Sequence, residues 1–485
     1  MPASSTSKDY DQNYLKWKTA RDTVAGSHAI KTNDGLYGGL SNGQDCPAGS
    51  TRNIRYLPMP NPSDLTQENL ERYRQYMTRA VFINFTANTK RGLSGAIFRK
   101  PPTVELGPQL EFLEDNSSGD GLSLCHLAKE CVNEVLTVGN VGGLAQFPKV
   151  EEGLTREQED YLQLRPSIKT YCAESIINVN HKLVGGKRIV CSISLLEYYD
   201  EPVENDPFDY ETKEQILVLK LDEGTGNYVE EIWRDDELFE GPYEIKAMGK
   251  PLKFIPFEFI GSENNDSKFD PAPLYDIAEV NLGHYRNSAD FEEASFISGQ
   301  PTLFISSSMS YDEFKEANPN GIAVGSRAGH FLGDQGNGTL VQAKETSLAR
   351  EGMKDKEEQL IKINARIIQQ GKGTETAEAA RIRFSGENSV LSNIAQNVSE
   401  GLTKLIGYCG LFVGVEDDEQ VFELNQQFFD TNLDAQQISA QILMLDRGIL
   451  AMEDIRNNVR KAGMVADNRT DEDIEAEAQE MDPLQ

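Results

Sequence analysis

Two long segments with helical periodicity, separated by a short stretch that resembles β-strands, constrain the fold of this chain most strongly. The first segment covers residues 274–296 and directly follows Pro271 and Pro273. Its apolar stripe consists of Leu274, Ile277, Ala278, Leu282, Tyr285 and Ala289. The second segment covers residues 348–369, and its stripe consists of Met353, Leu360 and Ile367 at heptad spacing. Such helices can pack on each other and on neighbouring copies, but a lone pair buries little apolar surface, so we expect an oligomer.

The stretch between the two helices, residues 301–343, contains the strand-like runs TLFISS, GIAVG, HFLG and GTLVQ. Ser310 and Glu313 form a capping-box pattern, which predicts a short helix among these runs. Two helices with a β-rich excursion between them leave that excursion at one end of the pair, where it is free to pair strands across subunits.

A third long helix is predicted from about residue 376 to residue 407, with a possible kink at Ser385-Gly386. Its apolar stripe consists of Val390 or Leu391, then Ile394, Val398, Leu402 and Leu405. A strand, QVFELNQQF, follows it. A helix beginning at Asp434 and a last helix at Ala451–Ala462 precede the acidic tail TDEDIEAEAQEMDPLQ, which we expect to be loosely held.

The N-terminal part of the chain reads as helices followed by a sheet. Residues 1–60 are polar and turn-rich, with a short helix near Tyr14–Thr23. A helix capped by Ser63 is predicted to run without a break from Asp64 to the prolines at 101–102, and another at 123–136 ends in the glycine-rich VGNVGG.

Residues 170–258 change to short β-branched and aromatic runs separated by turns. These runs, SIINVNHKL, KRIVCSISLLEYY, EQILVLKLD, GNYVEEIWRD and KFIPFEFI, predict a mostly antiparallel sheet with a hairpin turn at GTGN. The fold class expected for the whole chain is therefore α+β.

The charge of the chain limits its partners. The 485 residues include 47 Lys and Arg against 78 Asp and Glu, a formal net charge of −31. Such a balance argues against a protein that coats DNA or an anionic membrane. No apolar run approaches the roughly 18 residues of a membrane span, and the N-terminus lacks the apolar core of a signal peptide. We therefore expect a cytoplasm-like, reducing environment and no membrane partner.

One motif, QQGKGTETAEAAR at residues 369–381, superficially resembles a nucleotide-binding loop. A P-loop has the pattern G-x-x-x-x-G-K-[ST] after a β-strand. Here the position of the first glycine is Arg366, the residue after Lys372 is Gly373, and the preceding segment is helical. The motif therefore fails as a phosphate site. Its glycines are better explained as a helix stop and a loop tip, after which Thr376 caps the next helix.

Other catalytic or metal-binding patterns are absent from the sequence, which contains no G-x-S-x-G and no H-E-x-x-H. The acidic clusters Asp235-Asp236, Glu292-Glu293 and Asp417-Asp418-Glu419 are typical of solvated turns and helix ends. Cys125-His126 and Cys131 have no second ligand pair at zinc-finger spacing, so the cysteines are expected to be buried structural thiols. We predict no enzyme activity, no cofactor and no metal.

Several stretches, in this order and spacing, carry a resemblance to a known family. They are Tyr14-Leu15-Lys16-Trp17, Ala20-Arg21-Asp22, Gly26, Tyr56-Leu57-Pro58, Tyr73-Arg74-Gln75-Tyr76-Met77-Thr78-Arg79-Ala80, FINFTANTKRGLSGAIFRKPP at 82–102, Ile255-Pro256-Phe257, Pro273-Leu274-Tyr275-Asp276-Ile277-Ala278 and Asn281-Leu282-Gly283-His284-Tyr285-Arg286. Each is weak alone, but together they span most of residues 14–463. The chain resembles the portal proteins (head-tail connectors) of tailed bacteriophages, in particular a group described as a domain of unknown function.

This resemblance implies a ring, typically of twelve subunits, built from a wing, a two-helix stem, a β-rich clip and a helical crown. Carried onto this chain, it divides the sequence into an N-terminal region and wing at 1–270, a first stem helix at 271–297, a clip at 298–345, a second stem helix at 346–370, a tunnel loop at 371–377, a kinked helix and wing return at 378–432, and a crown with the acidic tail at 433–485.

The resemblance also implies a function and partners. The ring would sit at one capsid vertex of the virion, after assembly in the host cytoplasm, and pass double-stranded DNA without sequence specificity. Its partners would be other copies of the chain, the major capsid protein, the terminase large subunit and the head-tail adaptor. The tunnel loop lining the channel would consist of Gly371, Lys372, Gly373, Thr374, Glu375 and Thr376. Lys372 could touch passing DNA or could be only a solvated loop lysine.

Two other functions remain open from the sequence. One is an enzyme or ATPase that acts on DNA, which rests on the GKGT letters and the acidic clusters. The other is a different virion component, such as an adaptor or scaffold, although those chains are usually shorter or more uniformly helical.

Overall fold

Helices and antiparallel sheets alternate along the chain, as the predicted α+β class requires. The structure, a computed structural model, describes residues 2–33, 56–148, 164–203, 208–300, 302–319, 335–341, 347–368, 377–415 and 420–426, with isolated positions at 332, 428 and between 442 and 459. Within the long helices, the side chains of residues 363–389 are not described.

Four helices occupy the described residues 2–33 and 56–97, and they correct two predictions. They are α1 (Lys8–Ala25), α2 (Ser27–Asn33), α3 (Gln67–Arg79) and α4 (Phe85–Ile97). The first is longer than predicted because the Ser7 side chain accepts a hydrogen bond from the Tyr10 N–H and caps it. The predicted unbroken helix from Asp64 is two helices, and its cap is Thr66 instead of Ser63. The backbone leaves the helical region at Ala80, and Asn84 caps α4.

The next segment contains β1 (Thr103–Glu105), α5 (Phe112–Asp115), α6 (Leu124–Val138) and β2 (Asn140–Gln146). The helix predicted at 123–136 is confirmed, with Ser123 as its cap and Gly139 ending it at φ 90°. The glycine-rich run after it is more than a helix end, because it also forms the buried strand β2. A Cβ atom at Gly142 would overlap Phe257, and one at Gly143 would overlap Leu405.

Three sheets follow in the described residues up to 261, and all their strand pairs are antiparallel. The strands are β3 (Ser167–Cys172), β4 (Ile176–Val184), β5 (Lys187–Pro202), β6 (Tyr210–Leu221), β7 (Tyr228–Arg234), β8 (Glu237–Glu244), β9 (Lys246–Ala247), β10 (Lys250–Pro251) and β11 (Phe257–Gly261). Strands β4 to β8 pair in chain order as one five-stranded sheet. The predicted strand in KFIPFEFI exists as β11, but it pairs with β2 in the three-stranded sheet β11-β2-β3.

The C-terminal half confirms the predicted order of long helices and intervening strands. Its elements are α7 (Tyr275–Ser298), β12 (Thr302–Ser306), α8 (Tyr311–Ala317), β13 (Asn337–Val341), α9 (Leu348–Ile368), α10 (Ala377–Val413) and β14 (Val421–Glu423). The capping box of Ser310 and Glu313 starts α8 as predicted. Helix α10 continues past residue 407 and ends before Gly414, which has a φ of 81°. The runs GIAVG and HFLG lie outside the described residues, apart from Leu332.

Burial explains how these elements pack. Helix α10 lies on the sheet β11-β2-β3 and buries the predicted stripe, with Leu391 inside and Val390 half exposed. One face of the five-stranded sheet packs into this main core. The other face packs on α1, where Trp17 meets the cluster that includes Ile216 and Val218.

Predictions for the C-terminal end and the cysteines have mixed outcomes. The predicted crown helices and acidic tail lie largely outside the described residues, although residues 442–445 are helical.

Cys131 and Cys409 are buried as expected, but Cys125 is exposed because it occupies the solvent side of the first turn of α6. None of the described helices is both long and apolar enough to cross a membrane.

Candidate functional site

Helices α7 and α9 form a closely packed antiparallel pair, which we call the stem pair. Gly283 on α7 lies opposite Lys356 on α9, and Gly352 on α9 lies opposite Asn287 on α7. A Cβ atom at Gly283 would stand 2.8 Å from Lys356 Cε. The partner numbers fall along one helix as they rise along the other, so the helices are antiparallel. The two glycines let each helix approach the side chains of the other closely.

A buried polar contact also joins the stem pair. The His284 ring is fully buried, and its Nε2 lies 3.1 Å from Oε1 of Glu357. Phe85 of α4 packs edge-on against this imidazole, with ring centroids 5.6 Å apart. Among the described residues, Nδ1 of His284 has no hydrogen-bond partner. The contact therefore fixes the rotation of α7 against both α9 and α4.

Asn281 attaches α7 to the segment that precedes and begins α4. Its Oδ1 accepts hydrogen bonds from the N–H and the hydroxyl of Thr86, both at 3.1 Å, and its Nδ2 donates to the Ile83 carbonyl at 2.8 Å. Asn281 is fully buried, so each of these bonds replaces one to water.

Helix α3 holds the second half of α7 through charged and aromatic groups. The Tyr76 hydroxyl donates to Asp290 at 2.6 Å, and Arg79 forms a salt bridge with Glu293. The Arg79 guanidinium also lies 4.2 Å above the Phe296 ring. Burial, together with the hydrogen bond to Asp290, raises the pKa of Tyr76 well above its usual value, so this phenol remains a donor at physiological pH.

The two ends of the stem pair differ. At one end α7 finishes with the exposed side chains Phe296 and Ile297, and the hairpin β12–β13 follows. This hairpin exposes Phe304, Leu340 and Val341. At the other end of the stem pair, helix α9 ends beside the start of α7.

The predicted site residues Gly371 to Thr376 lie outside the described residues, so the predicted tunnel loop stays a prediction. The described chain reaches Ile368 before this segment and resumes at Ala377 in α10.

Sequence reasoning did not predict the roles of Asn281 and His284. The available signal was two polar residues, three positions apart, within the apolar stripe of a helix. Polar residues at such positions indicate contacts with buried polar partners. The polar side chains of the stem pair hold helices together, and none of those described above pairs a nucleophile with a base. No group of three or more His, Cys, Asp or Glu in the described part of the chain could hold a metal ion.

Comparisons with known proteins add the following. Residues 273–412 match the family described as "Domain of unknown function (DUF4055)", and this segment begins just before α7 and ends at the end of α10. A comparison with curated proteins finds no significant match.

Among solved structures, the chain is similar to one from the virion of a native gene transfer agent particle. The two are 12% identical, the match covers 77% of this chain and 89% of that chain, and the TM-score is 0.38. A chain from the neck of the native particle, computed with C12 symmetry, is 10% identical with the same coverage and TM-score.

Proposed function

We propose that this protein is the portal subunit of a tailed bacteriophage or prophage, and that it forms a ring-shaped channel at one capsid vertex for packaging and ejecting double-stranded DNA. The observation that carries the proposal is the stem pair. Two long antiparallel helices, closely packed through Gly283 and Gly352, have a β-hairpin at one end and the glycine-containing segment 371–376 in the connection at the other. The ordered sequence resemblance over residues 14–463 supports the same function.

In this proposal α7 and α9 are the stem, the β12–β13 region is the clip, and residues 371–377 are the tunnel loop. The helices and sheets before residue 271 form the wing, and the chain after 432 forms the crown. The hairpin β12–β13 supports contact between copies, because an isolated two-stranded hairpin is marginal in water and this one exposes Phe304 and Leu340.

The net charge supports a channel that does not grip its cargo. Duplex DNA carries about one negative charge per 1.7 Å. Basic walls would hold it, whereas a ring of chains that each carry −31 repels it and lets it slide. The partners in this proposal are other copies of the chain, about twelve in a ring, the major capsid protein, the terminase large subunit and the head-tail adaptor.

Electron microscopy of the purified protein tests this function directly. We expect negatively stained rings with a central hole, and native mass spectrometry should give their subunit number. Compact monomers or dimers with nuclease or ATPase activity would instead support an enzyme that acts on DNA.

Lys372 provides a test of the tunnel loop. The variant Lys372→Glu should form rings as the wild type does, but it should package or retain less DNA because a weak, sequence-independent contact with phosphate is lost. Packaging can be measured as DNase-protected DNA in particles assembled with each variant. The matched control is Lys250→Glu, which makes the same charge change on the exposed β9–β10 hairpin. Normal packaging by Lys372→Glu would exclude this role.

A further inference from the structure

The five-stranded sheet carries two projecting hairpin tips at opposite ends of its longest strand. Strand β5 has 16 residues and therefore spans about 50 Å at roughly 3.3 Å per residue. At its start it pairs with β4, where Lys187 lies opposite Val184. At its end it pairs with β6, where Pro202 lies opposite Tyr210. Each hairpin extends past the neighbouring strands, because the pairing of β5 with β6 begins only at Ser192 and that of β6 with β7 only at Ile216.

The hairpin at the start of β5, residues 182–189, is the basic tip. It carries Lys182, Lys187 and Arg188, and no acidic residue occurs in it. None of these three cations forms a salt bridge with a carboxylate in the described part of the chain. All of its side chains are exposed, including Leu183, which is 73% exposed, and Val184. The tip thus offers positive charge and apolar surface together.

The hairpin at the end of β5, described at 200–203 and 208–214, is the acidic tip. Its described residues include Asp200, Glu201, Asp209, Glu211 and Glu214 against the single cation Lys213, and the sequence between the two described parts adds Glu204 and Asp206. Lys213 contacts both Glu201 and Glu211, so most of the negative charge is not compensated. Phe208 is 92% exposed and Tyr210 is 57% exposed. The neighbouring turn between β7 and β8 adds Asp235 and Asp236.

We propose that the basic tip of one copy docks on the acidic tip of the next copy, head to tail around the ring. This inference rests on the proposed ring. Each tip has the opposite charge to the other, and each exposes large apolar side chains that a contact would cover. A tip facing its own counterpart in a two-fold dimer would meet like charge.

The positions of the tips favour a second copy as the occupant. Contacts between two different surfaces of the same chain are heterologous and generate rings when the rotation closes. Because the tips lie at opposite ends of β5, one copy cannot satisfy both within itself. Complementary charge favours contacts between unlike tips over contacts between like tips, and the proposed ring supplies the head-to-tail arrangement. The contact should weaken at high salt, since exposed charges are screened within about 8 Å at physiological ionic strength.

Charge reversal tests the contact. The first variant carries Lys182→Glu, Lys187→Glu and Arg188→Glu, which makes both tips acidic. The second carries Asp200→Lys, Glu201→Lys, Asp209→Lys and Glu211→Lys, which changes the net charge of residues 200–214 from −6 to +2 and so makes both tips basic. These positions are exposed, so each chain should fold, and circular dichroism with thermal unfolding checks that it does.

Each variant alone should need at least a tenfold higher protein concentration than the wild type to assemble rings, measured by mass photometry and electron microscopy. An equimolar mixture of the two should assemble again with alternating subunits, and native mass spectrometry should show equal numbers of each. Mixing restores assembly only if opposite tips meet, so it separates this contact from a general loss of folding.

Three outcomes would count against the contact. Rings of either single variant at wild-type concentrations, or a mixture that stays unassembled, would overturn the tip contact and leave the proposed function standing. Wild-type protein that forms no ring at any concentration would overturn both the contact and the proposed function.

Discussion

At the scale of single residues, Glu197 on β5 shows how a nearly buried carboxylate is stabilised in this fold. It accepts hydrogen bonds from Lys169 Nζ at 2.6 Å, from the Tyr171 hydroxyl at 2.7 Å and from Gln215 Nε2 at 3.2 Å. Burial alone would raise its pKa. These three donors outweigh burial, so the pKa of Glu197 lies below its ordinary value of 4.5.

A lowered carboxylate pKa makes stability depend on pH with a definite sign. The unfolded chain binds the proton more tightly than the folded chain, so the stabilisation is present above pH 4.5 and is lost as the pH falls through the folded-state pKa. Glu197→Gln should lower the free energy of unfolding by about 1–2 kcal/mol at pH 7 and have a smaller effect below pH 4. Urea unfolding at several pH values measures this.

The matched control for this prediction is Glu211→Gln on the neighbouring strand. Its side chain is 67% exposed, so the change should cost less than about 0.5 kcal/mol at any pH. Equal effects of the two variants at pH 7 would contradict the role assigned to Glu197.

At the scale of elements, the contact of α10 with β2 depends on the absence of a side chain at Gly143. A Cβ atom there would overlap Leu405. Gly143→Ala should therefore destabilise the fold by about 1–3 kcal/mol through overpacking. Adding Leu405→Ala should cost less in this background than in the wild type, because the two positions touch. Thermal unfolding of the four proteins in this cycle gives the coupling.

Gly407→Ala on the same helix is the control, because a Cβ atom at that position meets nothing within 4 Å. It should be neutral or should stabilise the helix by up to about 1 kcal/mol. Additive effects of Gly143→Ala and Leu405→Ala would show that the close approach has no energetic importance.

The elements also show which parts of the fold sequence reasoning reaches. Helix α7 is predictable because its apolar stripe repeats at helical spacing, and every residue of the predicted stripe is buried. The break between α3 and α4 is not predictable in this way, because Val81, Phe82 and Ile83 continue an apolar pattern. The backbone groups of this segment form hydrogen bonds with side chains of α7 instead of helical ones. The Val81 N–H donates to Ser288, and the Ile83 carbonyl accepts from Asn281.

The same limit applies to β2 and to the candidate site. Two glycines in NVGGLAQ read locally as a turn, and only the pairing with β3 and β11 reveals a strand. The polar contact of His284 with Glu357 joins residues 73 positions apart, so local pattern cannot identify the partner. The glycines and flanking helices predict a loop at 371–376, its role as a tunnel loop is implied only by the resemblance to portal proteins, and these residues lie outside the described part of the chain.

At the scale of the whole molecule, the proposed ring makes stability depend on protein concentration. Assembly would cover Phe304 and Leu340 of the hairpin and the exposed end of α7, which the single chain leaves in water. Because association stabilises the folded state by mass action, the midpoint of thermal unfolding should rise over a hundredfold increase in protein concentration. Differential scanning fluorimetry measures this midpoint. Repeating the series in 1 M NaCl measures how much of the concentration dependence comes from exposed charges. A midpoint that does not change with concentration would indicate a self-sufficient monomer.

The pairing of β1 with β14 has a consequence for how the chain is made. Glu105 lies opposite Val421, so this small sheet closes a loop of more than 300 residues. At about 5–20 residues per second, the ribosome needs roughly 15–60 s to synthesise the chain between them. Strand β1 therefore leaves the ribosome long before β14, the strand with which it pairs. Pairs so distant in sequence slow folding, and a nascent chain has time to meet chaperones before its final sheet can form.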